Sequence, residues 1–237
     1  MANTVYNLFI PNTKAVDNGD GTFSIATVGQ PGDNNIGNVD LVITKTIQTE
    51  LLAPTAVAAN AQQLSSVLAL TNMKKASVFI DHGRTATTAF VGAGTEYRIQ
   101  VSQKATGNDT WVSLASVVAD IAAATAITAD GNEAAGETVI DIGANTPAVG
   151  DIVFWKNATI ANSEWGKVVA ITGGTDFTLQ DGLTNAQLAA QLIYNKAERF
   201  VLSLDVSGFT RMRVVVNNNN GTTNVNIVSR VACITQT

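Results

Sequence analysis

Histidine and cysteine are almost missing from this chain, whose 237 residues hold one of each, His82 and Cys233. Imidazoles, thiols and clustered carboxylates are the groups that move protons or bind transition metals near neutral pH, so the materials for most pocket chemistry are scarce. A single cysteine excludes an intrachain disulfide, and its place in the apolar run Val231-Ala232-Cys233-Ile234 reads as packing rather than reactivity. Charge is sparse as well: 14% of residues are charged and the net charge is -5. A sequence-independent grip on nucleic acid needs a basic stripe, and Arg211-Met212-Arg213 in a strand-like run is the nearest approach to one, so no nucleic-acid partner is expected. No apolar stretch approaches the ~20 residues of a bilayer span, and no membrane partner is expected either. Met1-Ala2-Asn3-Thr4 lacks the basic start and apolar core of a secretory signal, which points to synthesis and folding in a cytoplasm.

What is present is a supply of Val, Ile, Leu and Ala, within a hydrophobic fraction of 46%, alternating with Thr, Ser and Asn and broken by Gly- and Asn-rich turns. This patterning predicts an all-β protein. Residues 1–53 read as an extended N-terminal arm with a hairpin. Asn18-Gly19-Asp20-Gly21 between β-prone flanks at 14–25 is the chemistry of a tight hairpin turn, Gln30 to Asn35 breaks the chain, and Val39 to Thr49 alternates like a strand. Poor in aromatics, this arm is expected to need a partner to become ordered.

Residues 54–118 together with 190–237 are expected to form an antiparallel β-sandwich. Strand-length runs occur at 67–70, 76–83, 96–102, 198–205, 211–217 and 224–234. In the 96–102 run, Tyr97, Ile99 and Val101 alternate with Glu96, Arg98, Gln100 and Ser102, the pattern of a strand buried on one face. Asn217 to Gly221 reads as the turn of a C-terminal hairpin. Residues 119–189 read as an inserted small β-barrel-like module, with strands at 138–142, 149–155, 164–171 and 176–179 around Phe154, Trp155, Trp165 and Phe177. Ala119 to Ala126 is Ala-rich and reads as a short helix or a linker, and Ala186 to Gln191 carries helical propensity but is too short to be stable unaided.

Each motif that suggests chemistry has a plainer reading. Asp81-His82-Gly83-Arg84 invites a proton relay, but no nucleophile elbow or metal-ligand spacing accompanies it, and a strand end followed by a turn accounts for it. Asp17-Asn18-Gly19-Asp20-Gly21 lacks the alternate ligands and distal Glu of a calcium loop. Gly92-Ala93-Gly94 lacks the further Gly, the Lys and the helix of a phosphate cradle. Trp155 and Trp165 fit a carbohydrate platform or, more simply, core packing. Asn108-Asp109-Thr110 and Asn157-Ala158-Thr159 match the glycosylation sequon, which carries little meaning without a secretory signal. No catalytic, cofactor or metal site is therefore assigned, and the chain is not expected to be an enzyme.

Val78 to Arg84, Gly94 to Val101, Val149 to Phe154 with Asn162 to Trp165, and Tyr194 to Phe200 resemble segments of virion structural proteins of tailed bacteriophages. The resemblance runs from about residue 50 to the C-terminus. It implies a component of the virion, and within that class a capsid decoration or cement protein: a homotrimer on the phage major capsid protein that reinforces the lattice. Its contacts are expected to be neutral hydrogen bonds and aliphatic packing that respond weakly to salt. The alternatives are a neck, tail or baseplate protein and a carbohydrate- or receptor-binding fibre module using Trp155 or Trp165. A hydrolase using His82 ranks last.

Overall fold

A computed structural model describes residues 5–7, 13–17, 23–27 and 46–237, apart from 86, 88, 90, 91, 108, 109, 144–146 and 222–225. The chain divides into two units, residues 1–44 and 45–237. In the first, β1 (Val5–Asn7), β2 (Thr13–Asp17) and β3 (Phe23–Thr27) form an antiparallel sheet in that order. The expected hairpin is its β2–β3 pair, with Thr13 opposite Thr27 and Asp17 opposite Phe23. The turn at 18–22, the break at 30–35 and residues 39–45 of the strand-like run lie outside the described residues.

The second unit begins with β4 (Thr46–Val57), β5 (Gln62–Leu64), β6 (Leu68–Ala69), β7 (Lys75–Arg84), β8 (Gly92–Ser102) and β9 (Val112–Val118). Five strands follow: β10 (Ala126–Thr128), β11 (Val139–Asp141), β12 (Ile152–Lys156), β13 (Glu164–Thr172) and β14 (Asp176–Leu179). The chain ends with β15 (Leu192–Asp205), β16 (Arg211–Asn220) and β17 (Ile227–Gln236). Among the described residues the only helix is a single 3-10 turn at Ile160–Asn162. Neither Ala-rich segment is α-helical: the first leads into β10, and the second is a bridge at Gln187 followed by a turn in which Ala190 takes φ 62°.

All pairings are antiparallel. One sheet runs β11-β14-β13-β12-β15-β7-β17-β4 with β10 on β15, and the other runs β5-β16-β8-β9 with β6 on β16. They form a sandwich whose core draws Val78 and Ile80 from β7, Val231 and Cys233 from β17, Tyr97, Ile99 and Val101 from β8, and Met212, Val214 and Val216 from β16. The expected alternation in β8 holds, except that Ser102 is also buried, its hydroxyl 2.8 Å from that of Thr110. Burial pushes the Cys233 thiol up to about 11, which suits a packing role.

Three expectations need correction. The C-terminal hairpin does not form, because β16 and β17 belong to different sheets. Instead of turning, Asn217, Asn218 and Asn220 continue β16 as buried residues. The Asn218 amide donates to the Val57 carbonyl at 3.0 Å, and that of Asn220 reaches Thr95 Oγ1 at 3.4 Å. Internal partners thus let asparagines occupy a strand interior. The boundary at residue 53 falls inside β4, which pairs with β17 from Thr46 to Val57. The barrel-like expectation also fails as a closed barrel. Strands β10 and β11 are three residues each and meet through one isolated bridge, Ala129 to Ile142, while β15 leaves the group to continue along β7.

Strand β15 therefore serves two cores. Its first residues pair with β10 and β12, and from Glu198 to Asp205 it pairs with β7. The change falls at an irregularity opposite Ile152 and Phe154, where Lys196 takes φ 63°. The second core comprises Ile127, Ile140, Ile142, Val153, Trp155, Phe177 and Ile193 with their neighbours. Phe154 faces the other way, into a smaller cluster with Tyr194, Ala197 and Val228.

Candidate functional site

Strand β7 alternates through Ala76, Val78 and Ile80 and then places His82 and Arg84 at the next inward positions. Across the pair with β15, His82 lies opposite Glu198 as Ile80 lies opposite Phe200. The sequence thus extends an apolar stripe into a charged end, and the sandwich has a polar interior there. Asp81-His82-Gly83-Arg84 is the middle and end of a buried strand, which corrects the strand-end-and-turn reading.

His82 is fully enclosed, with Nδ1 2.7 Å from the Tyr97 hydroxyl. That hydroxyl lies 2.7 Å from Ser229 Oγ, so three strands from both sheets share one hydrogen-bonded chain. Burial, reinforced by the Arg84 guanidinium, pushes His82 down to about 3, and burial raises the Tyr97 hydroxyl well above the usual tyrosine range. Neither group exchanges a proton near neutral pH. Arg84 donates to the carbonyl of Asp120, whose N–H donates to Glu198 Oε2 at 2.8 Å. Burial raises the Glu198 carboxyl, opposed by Arg84 nearby.

On the opposite face of β7, Arg199 Nε donates to Asp81 Oδ1 at 2.6 Å, and Gly83 lies under the ring of Phe154. A Cβ at Gly83 would meet that ring at 2.5 Å, so glycine permits the close approach of β12. The arrangement fixes strand register and joins two cores. A solute cannot reach His82 without opening the sandwich.

The two tryptophans weighed as carbohydrate platforms part company. Trp155 is buried, and its indole N–H donates to Gln191 Oε1 at 3.0 Å, so it presents no face to a sugar. Trp165 is half-buried against Phe154, with ring centroids 4.9 Å apart, and lines a cleft of about 370 Å³ with Glu50, Pro54, Asn185 and Arg230.

The sequence reading missed a surface. On the outer face of the five-stranded sheet, Arg211 and Arg213 of β16 lie opposite Ser102 and Gln100 of β8, and Val215 lies opposite Arg98. The guanidiniums of Arg211 and Arg213 sit 4.7 and 4.3 Å from the centre of the Trp111 ring. Arg213 Nε donates to Gln100 Oε1 at 2.9 Å, Arg211 Nε donates to the Lys104 carbonyl at 2.7 Å, and Arg98 pairs with Glu96 at 3.2 Å. The period-two spacing of Arg211 and Arg213 was visible in the sequence. That Arg98 and Trp111 join them depends on strand register.

No family model matches the sequence, and no curated protein matches it. Two solved chains overlap with it in structure. One, from the structure of infectious bursal disease virus Gt strain, is 10% identical, with 82% of this chain and 80% of that chain covered at a TM-score of 0.21. The other, VP17, a capsid protein of bacteriophage P23-77, is 11% identical, with 82% of this chain and 96% of that chain covered at a TM-score of 0.20. Both neighbours are viral, and superpositions this loose carry no argument about fold or function.

Proposed function

We propose that this chain is a structural protein of a tailed-bacteriophage virion, and within it a capsid decoration protein that sits as a homotrimer on the major capsid protein and reinforces the lattice. The sequence resemblance supplies the class. The observation that supports a contact-making role is where the side chains lie: the groups able to do chemistry at His82 are locked inside, while β4 and β9 end their sheets as edge strands. Val112, Leu114 and Val118 of β9, with Ile121 beyond it, are exposed. Edge strands carrying apolar residues are a hazard in a free protein and an asset in one that works against neighbours. Reinforcement would come from many copies, each burying surface between shell subunits.

Mass measurement of the purified chain, with co-sedimentation on capsids lacking it, tests this reading. A trimer that pellets with those capsids is expected. A stable monomer that ignores capsids and binds tail components would replace it with the neck, tail or baseplate alternative. Glycan binding lost on Trp165→Ala would replace it with the receptor-binding alternative.

A further inference from the structure

Charge is distributed unevenly along this weakly charged chain. Residues 119–189 hold nine Asp and Glu against Lys156 and Lys167, a net charge of -7. Residues 46–118 with 190–237 hold ten Lys and Arg against six Asp and Glu, a net charge of +4. The -5 of the whole chain conceals this division.

The basic side has a built face. Arg98, Arg211 and Arg213 point from adjacent strands to the outside of the five-stranded sheet, opposite the core residues Met212, Val214 and Val216. Trp111 and the acceptors Gln100 and Lys104 hold Arg211 and Arg213 in place, so less side-chain entropy is lost when a carboxylate arrives. Glu96 neutralises one of the three. Partial burial, and after it the neighbouring Arg211 guanidinium, lowers the proton affinity of Arg213. The acidic side is exposed as well: Asp130, Glu137, Asp141 and Asp181 all face solvent. Asp141 also lies directly opposite half-buried Asp176 on the β11–β14 pair, a like-charge juxtaposition that an external cation would relieve.

We propose that the Arg98, Arg211 and Arg213 face of one copy docks the acidic 119–189 region of a second copy. Such a contact joins two different surfaces, so it is head-to-tail and closes into a ring when the rotation between copies permits. It rests on the homotrimer of the proposed function and not on its capsid partner. It also reverses, for the contact between copies, the expectation of weak salt dependence, because complementary charges on exposed faces are screened within about 8–10 Å at ordinary ionic strength.

Sedimentation velocity of the full chain across a salt series tests it without any variant. Association should weaken about tenfold or more between about 50 mM and 500 mM salt. Arg211→Glu with Arg213→Glu should leave a monomer, as should Asp130→Lys with Asp141→Lys, and mixing the two variants should restore association as mixed pairs, since a closed ring of three would keep one like-charge contact. Circular dichroism separates lost contact from lost fold. Association indifferent to salt and to both reversals would overturn the proposal, as would a monomer at low salt or a face that instead binds single-stranded DNA. Capsid co-sedimentation is scored separately, so a salt-sensitive trimer that ignores capsids upholds this contact while removing the decoration role.

Discussion

The sandwich core is filled by long strands, with β7, β16 and β17 at ten residues each supplying Val78, Ile80, Val214, Val216 and Val231 in period-two rows. The core of the 119–189 region draws on strands of three to nine residues and closes around Trp155 and Phe177. Short strands offer few inward positions, so Trp155 and Phe177 add large area beside Ile127, Ile140, Ile142, Val153, Val168 and Ile193. The second core meets the end of the sandwich on one strand: in β12, Val153 and Trp155 face the second core, while Phe154 faces a separate small cluster that includes Val228 of β17 and lies over Gly83 of β7. A strand buried on both faces can couple two cores that share few other residues.

The largest effect is expected where that coupling is removed. Phe154→Ala deletes a fully enclosed ring at the joint and should cost about 3–5 kcal/mol in chemical denaturation. It should also split unfolding into two transitions. Phe177→Ala should cost a similar amount while affecting the second core alone. A single transition with a loss below about 1 kcal/mol for Phe154→Ala would mean that β12 does not join the cores.

Strand existence and the β8 alternation were legible because period-two burial is written in the residues themselves. The pairing of those strands was not. Nothing local distinguishes Asn217 to Asn220 as a hairpin turn from the same residues as a buried strand end, since the deciding partners, Val57 and Thr95, are more than 120 positions away. Asp81-His82-Gly83-Arg84 stands out as a motif in the sequence, but its local chemistry alone reads as a strand end and turn. Its inward position followed from continuing the Ala76, Val78, Ile80 alternation for two more steps. The outer arginine face needed the β8–β16 register before Arg98 could be placed beside Arg213.

An intermediate effect should separate the two regions by pH. Residues 119–189 contain no histidine, whereas the sandwich encloses His82. The unfolded chain takes up a proton near 6.5 and the folded chain not until about 3, so the unfolded state binds more protons in between and stability falls as pH falls. The loss should be about 1.4 kcal/mol per pH unit below 6.5. Glu198, raised by burial, takes up its proton in the folded state before it does in the unfolded one and opposes the trend at the acid end. Melting followed across this range should lose its slope in His82→Gln. An unchanged slope would place the acid sensitivity elsewhere.

The smallest effect distinguishes the buried hydrogen bonds of the two regions. Tyr97→Phe keeps the ring but withdraws the hydroxyl shared by His82 and Ser229, leaving two enclosed polar groups each short of a partner. The expected cost is about 1–3 kcal/mol. Trp155→Phe keeps much of its buried ring and withdraws one N–H from Gln191 Oε1, but that oxygen also accepts the Leu188 N–H at 3.1 Å and stays satisfied. Only the lost bond and some packing remain to be counted, about 1 kcal/mol. Parallel denaturation of the two variants measures the difference. If Trp155→Phe proves as costly as Tyr97→Phe, its packing in the second core outweighs the hydrogen bond, and the aromatic account of that core is strengthened at the expense of the polar one.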